Sequence, residues 1–183
     1  MRLRRTHVGA AIWGLAEATF FYIVPDVLLS WVALKEPRKA FIACAWTLAG
    51  ALIGGVFIWY LGALNPEPIR ALFTFIPAIN ASLIVEVQSQ LENSGLVALF
   101  IGPMIGTPYK IYALEAGHIG YGLLPFLLVS IPARLLRFVI VTGVAAAASH
   151  YLKRIVKIGV IRILHVVVWT SFYVFYFSVM SGN

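Results

Sequence analysis

Arg134 and Arg137 stand three residues apart in the apolar stretch SIPARLLRFVIV, a spacing that puts both guanidinium groups on one face of a helix. A planar guanidinium donates two parallel hydrogen bonds to a phosphate or a carboxylate, so two on one face suit an anionic headgroup. Counted at about 1.5 Å per residue from Tyr121, Arg134 lies roughly 20 Å into an apolar layer roughly 30 Å thick. A charge at that depth costs at least a few kcal/mol unless it meets an acid, a backbone carbonyl or a wet cavity. Three acids lie in apolar surroundings: Glu17 and Asp26 in LAEATFFYIVPDVLLSWVAL, and Glu115 in KIYALEAG, which also supplies Lys110. The expected roles are Arg134, Arg137 and Lys110 as phosphate-headgroup ligands, with Glu17, Asp26 and Glu115 as counter-ions or proton-exchanging groups. Burial raises a carboxyl pKa and a neighbouring cation lowers it, so activity is expected to respond to pH or to a proton gradient. An internal ion-pair network without substrate would use the same residues, and the residues alone leave both readings open.

The chain that must position these groups has 183 residues, 61% of them hydrophobic and 11% charged, with a mean hydropathy of +0.92. That exceeds the roughly 45–50% apolar usage of soluble domains and predicts an integral membrane protein. Five apolar stretches, about 8–34, 40–64, 95–117, 121–150 and 158–180, are near or above the roughly 20 residues that cross a bilayer as helix. The second carries no charge, and its Gly50 and Gly54 form a GxxxG face for close packing, either within the chain or in a homodimer. The fifth reads as an ordinary span whose Arg162 snorkels and whose aromatics from Trp169 to Phe177 form a lipid-facing belt. The first and third are interrupted, by Pro25 beside Asp26, and by Pro103, Gly106 and Pro108. Proline lacks an N–H and clashes with the preceding turn, and broken backbone is tolerated at membrane depth only where it is buried in protein or lines a polar cavity.

Charge placement decides whether the interrupted stretches cross. With all five crossing and Arg2, Arg4 and Arg5 inside, KEPRK at 35–39 would fall outside, against the positive-inside rule. If the first and third dip in and return, those clusters and Lys153, Arg154 and Lys157 all face the cytoplasm. The expected fold is therefore an all-α integral membrane domain of two opposed re-entrant helical hairpins in inverted repeat plus about three full transmembrane helices, its N-terminus cytoplasmic. Between the repeats, 65–94 opens with NPEP and repeats Ile79, Leu83, Val87 and Leu91 every four residues, predicting an outer interfacial amphipathic helix ended by Asn93-Ser94-Gly95. A signal peptide cut after Ala18 is set aside because the apolar run continues past the cut.

Other classes fit poorly. The net charge of +7 is spread in short clusters rather than a basic stripe, so no nucleic acid is expected. One cysteine, Cys44, and four scattered histidines, His118 among them, offer no ligand spacing, and neither a metal nor another cofactor is expected. No nucleophile with a positioned base is evident, so an enzyme is not expected.

LAEATFFYIVPDVLL, TLAGALIGGVFIWYLG, FIGPMIGTPYKIYALEAG and FLLVSIPARLLRFVIV, taken in order over about residues 13–150, resemble the DedA/VTT (SNARE-associated Golgi protein) superfamily and, within it, the small YqaA-like branch. The resemblance implies the hairpin fold reached above and a lipid transporter of the cytoplasmic membrane, flipping a lipid phosphate such as undecaprenyl phosphate. It also implies that the family's essential acids correspond to Glu17 and Asp26 and its arginine pair to Arg134 and Arg137. The sequence departs at Val24-Pro25-Asp26, where many members have Pro-Gly before the acid, and at Thr107-Pro108-Tyr109-Lys110, where others place arginine after the proline. Alternatives are an energy-independent phospholipid scramblase and a structural membrane protein without transport.

Overall fold

The computed structural model describes residues 2–180, with the side chains of residues 2–5 and 180 outside the description. The expected Arg2, Arg4 and Arg5 cluster thus falls on side chains outside the described residues. Among the described residues every regular element is a helix. The order is α1 (Arg2–Thr19), α2 (Asp26–Ala33), α3 (Pro37–Leu64), α4 (Glu67–Phe73), α5 (Ala81–Ser94), α6 (Leu96–Ile105), α7 (Tyr109–Ile119), α8 (Leu123–Leu152) and α9 (Ile158–Met180).

Three of these helices, α3, α8 and α9, are long and apolar enough to cross a membrane. Helix α3 starts with Pro37 in its first turn, where a missing N–H costs nothing. The interruptions fall where proline and glycine stand. Helix α1 stops at Thr19, and Pro25 immediately precedes α2. Helix α6 ends at Gly106, which takes φ 111°, a conformation that glycine adopts without steric cost. Pro108 then holds an extended backbone before α7.

Packing is reciprocal between the two halves: α1 lies along α3 and α6 along α8, while α2 packs on α8 and α7 on α3. Lipid tails are as apolar as leucine, so close backbone approach carries much of this association. Gly50 and Gly54 face α1, where a Cβ would lie 1.9 Å from the Ala11 carbonyl oxygen and 2.9 Å from that of Leu15. The GxxxG face is thus filled within the chain. A second glycine face receives α7: a Cβ on Gly62 would lie 2.1 Å from the Leu114 oxygen, and one on Gly117 2.0 Å from that of Trp59. Helix α7 is consequently buried without a break from Tyr109 to Gly117, as expected of a helix enclosed on all sides.

Within 65–94 the amphipathic helix expected on the Ile79 to Leu91 period is α5, which ends at Ser94 before Gly95, and the NPEP opening leads into a further short helix, α4, separated from it by a turn through Pro77 and Ala78, which takes φ 68°. Helix α5 is capped by the Asn80 side chain, which accepts from Leu83 N–H at 2.8 Å, and its Ile84, Val87 and Leu91 are buried against α6 and α7. Helix α9 is the opposite extreme, with 6% of its most apolar stretch buried.

Candidate functional site

The two interruptions leave helix ends inside the bundle, and the charged side chains gather there. Asp26 sits in the first turn of α2, where a carboxylate offsets the positive end of the helix dipole. Its Oδ2 accepts from Arg137 Nε at 2.9 Å. Arg137 also donates through Nη1 to the carbonyl of Pro103, one of the last-turn carbonyls of α6 that have no partner within the helix. One guanidinium thus joins the negative end of α6 to the acid on the positive end of α2.

Arg134, one turn earlier on α8, is 1% exposed and donates through Nη2 to Glu17 on α1. Its guanidinium carbon lies 4.8 Å from the ring centres of both Tyr109 and Phe138, contacts that favour a cation desolvated between aromatic faces. Tyr109 is fixed in turn by donating to Ser130 Oγ at 3.0 Å. Lys110, 2% exposed, donates to the backbone oxygen of Phe21 at 2.7 Å, and among the described residues it makes no ion pair. Helix α7 has no acid in its first turn, so the positive end that bears Lys110 lacks the carboxylate that α2 has.

Glu17, Lys110 and Arg137 line one cavity of about 270 Å³, walled by both interruptions and by Tyr173 and Tyr176 of α9. Arg134 and Asp26 do not line it but pair with residues that do, Arg134 with Glu17 and Asp26 with Arg137, which leaves Lys110 as the lining cation without an ion pair among the described residues. An uncompensated charge in a poorly solvated interior is costly, so the Lys110 ammonium favours an anion in the cavity it lines. His/Cys/Asp/Glu groups able to hold a metal are absent among the described residues.

Glu115 is placed elsewhere. It is fully buried on α7, and its partner is Arg70 of α4, which donates from Nε to Oε1 at 2.9 Å and from Nη2 to Oε2. Arg70 also reaches Glu67 at 2.8 Å. These contacts, led by the hydrogen bonds to Glu115, raise the Arg70 pKa above its already high ordinary value. As a counter-ion, then, Glu115 serves an α4 to α7 clamp and not the α8 arginines. Pro25 and Pro108 fall at the interruptions, whereas Pro103, expected as a breaker, lies inside the last turn of α6, which continues through it to Ile105; His118 is exposed at the end of α7.

The aromatic belt expected on α9 is only half a belt. Phe175 faces outward at 69% exposure, whereas Tyr173 Oη accepts from Val24 N–H at 2.9 Å inside the first interruption. Trp169 Nε1 donates to Ser30 Oγ at 3.1 Å. The signal was present in the sequence: Trp169, Tyr173 and Tyr176 recur at spacings of four and three, which puts them on one helix face.

Comparison with known proteins supplies relatives but no activity. A Haemophilus influenzae (strain ATCC 51907 / DSM 11121 / KW20 / Rd) protein, described only as uncharacterized, is 27% identical over 144 residues, covering 76% of this chain and 74% of the relative. A Histophilus somni protein described as "Uncharacterized protein HI0703 homolog" is 30% identical over 145 residues, again covering 76% and 74%. No family model matches the chain, and no solved structure matches it.

Proposed function

The chain belongs to the family of the Histophilus somni HI0703 homolog, whose name assigns no activity, and from the site itself we propose a membrane transporter that moves a lipid phosphate, such as undecaprenyl phosphate, across the cytoplasmic membrane. The observation that carries this reading is that Lys110 and Arg137 line one cavity at the meeting point of two interrupted helices. In transporters, interrupted helices bring backbone dipoles and charged side chains to a substrate near the midplane. Arg137 is the fifteenth of the 30 residues of α8, close to the middle of a helix that crosses. The resemblance to DedA/VTT motifs points the same way.

In this reading α1 with α2, and α6 with α7, are re-entrant hairpins dipping from opposite faces, and the N-terminus is cytoplasmic. The phosphate takes hydrogen bonds from Arg137 and Lys110 and balances the third cation. Arg134, stacked between two rings, is a positioning residue that holds Glu17 beside the cavity. Glu17 and Asp26 exchange protons as the phosphate arrives and leaves, which couples transport to the proton gradient.

A translocation assay in proteoliposomes tests the proposal, comparing a polyprenyl phosphate with glycerophospholipids, with and without a pH gradient. Selective, gradient-dependent movement that is lost in folded Lys110→Gln and Arg137→Gln is expected. Equal movement of all lipids would replace the transporter reading with a scramblase, and no movement after verified reconstitution would replace it with a structural role.

A further inference from the structure

The site cavity continues in two directions of opposite character. Towards α5 it shares Ile105, Gly106, Thr107 and Tyr176 with a cavity of about 330 Å³ whose other walls include Asn80, Ser82 and Glu86. That route is polar. In the other direction, past Arg137, it shares Gly106 and Phe172 with a cavity of about 400 Å³. This second cavity is bounded by the carboxylate of Asp26, whose Oδ1 is buried without a hydrogen-bond donor among the described residues. Beyond it, Ile140, Val168 and Trp169 are shared with a cleft of about 360 Å³ between α8 and α9, lined by Ala145, Ala148, Leu152, Ile161 and Leu164. The cleft exists because α9 packs on α2 and because α8 offers alanines where α9 passes.

We infer that this α8–α9 cleft is a binding channel for a single long hydrocarbon chain whose phosphate sits at Lys110 and Arg137. The inference rests on the proposed headgroup site and adds to it the path of the tail. Charged groups end near Arg137 and Asp26, while the cleft beyond them is mostly aliphatic with Ser30, Ser149 and His165 at its walls and no charged side chain, so a molecule that fills both has a charged head and an apolar tail. From Ile140 to Leu152 the channel runs about 18 Å at 1.5 Å per residue, roughly half of a bilayer's apolar thickness plus a margin. A head drawn in along the Asn80 and Glu86 side would leave its chain pointing towards the Lys153 end, in the direction it already had. The chain, not the head alone, then selects the substrate.

The test uses the full chain in bilayers and a polyprenyl monophosphate carrying a photoreactive group within its chain, with the matching polyprenyl alcohol as the bulk-lipid control. Binding of dimethylallyl monophosphate and of inorganic phosphate is measured in parallel, to separate a lipid headgroup from free phosphate. Expected is labelling of 140–152 and 161–169 at least about tenfold stronger with the phosphate than with the alcohol. Ala148→Trp should reduce it about tenfold while binding of the short phosphate ester stays within about twofold of wild type. Val168→Trp blocks the cleft from the other helix and serves if the first variant does not fold. Equal labelling by the alcohol, labelling confined to the outer face of α9, or no effect of either tryptophan would overturn the channel and leave the headgroup site standing, provided the short ester binds. If inorganic phosphate alone binds, the channel also falls. If no phosphate binds at all, the channel and the headgroup reading fail together.

Discussion

Arg137 Nε donates to Asp26 Oδ2 at 2.9 Å across 111 residues of sequence. The pair fixes the middle of α8 against the first turn of α2, and the same guanidinium holds the Pro103 carbonyl at the end of α6. A substitution here therefore loosens both interruptions at once.

The buried pair beside it is a sharper stability test. Arg134 and Glu17 have side chains 2% and 6% exposed, so removing one partner strands the other charge, a loss on the order of 3–5 kcal/mol. Arg134→Gln and Glu17→Gln should each lower the thermal midpoint in detergent strongly. The double variant should lie well above the sum of the two losses, because it strands no charge. Additive losses would show that the two side chains do not act as a pair.

Gly55 tests how Arg134 is braced. A Cβ at Gly55 would lie 2.4 Å from the Tyr109 hydroxyl, which donates to Ser130. Gly55→Ala should push the Tyr109 ring away from Arg134, lowering stability by about 1–3 kcal/mol as overpacking does. Adding Tyr109→Phe removes the colliding oxygen and should restore part of the loss, which a melting comparison of the single and double variants measures.

Tyr173→Phe removes the acceptor of the Val24 N–H. A stranded backbone donor costs about 1–3 kcal/mol, and the effect is local to the first interruption. Hydrogen exchange should quicken at residues 20–25 while α3 and α7 keep their protection. Unchanged exchange there would mean that α9 does not hold this segment.

Glu115 and Arg70 should behave as structure rather than as transport machinery. Glu115→Gln leaves Arg70 only its exposed ion-pair partner Glu67 and should destabilise the protein, whereas Arg70→Met/Glu115→Met exchanges the pair for apolar packing and should recover much of the loss. Folded double variant should translocate lipid at a rate within about twofold of wild type. A transport loss in that folded variant would return Glu115 to the proton-exchanging set.

Much of this site was legible because charge and proline are conspicuous in apolar sequence. Glu17, Asp26, Arg134 and Arg137 had few places to go, and a buried cation must find an acid, so their grouping followed from burial alone. Pro25, Gly106 and Pro108 marked the interruptions for steric reasons. Glu115 was harder: its partner Arg70 stands 45 residues earlier on a short helix, and sequence offers no distance between them. The inner face of α9 was hidden because tyrosine and tryptophan suit both a membrane interface and a buried hydrogen bond. The period from Ile79 to Leu91 marked α5, whereas the seven residues of α4 are too short to show a period of their own.

The most direct test of the central claim is the affinity of the reconstituted protein for a polyprenyl monophosphate against the matching polyprenyl alcohol, in wild type and in Lys110→Gln. A charge-assisted hydrogen bond contributes about 1.5–3 kcal/mol, or about 10–150-fold in affinity. The phosphate should bind at least about tenfold more tightly than the alcohol, and Lys110→Gln should remove most of that preference while leaving the alcohol unaffected. Equal affinity for phosphate and alcohol in the wild type, or a preference untouched by Lys110→Gln, would contradict that claim.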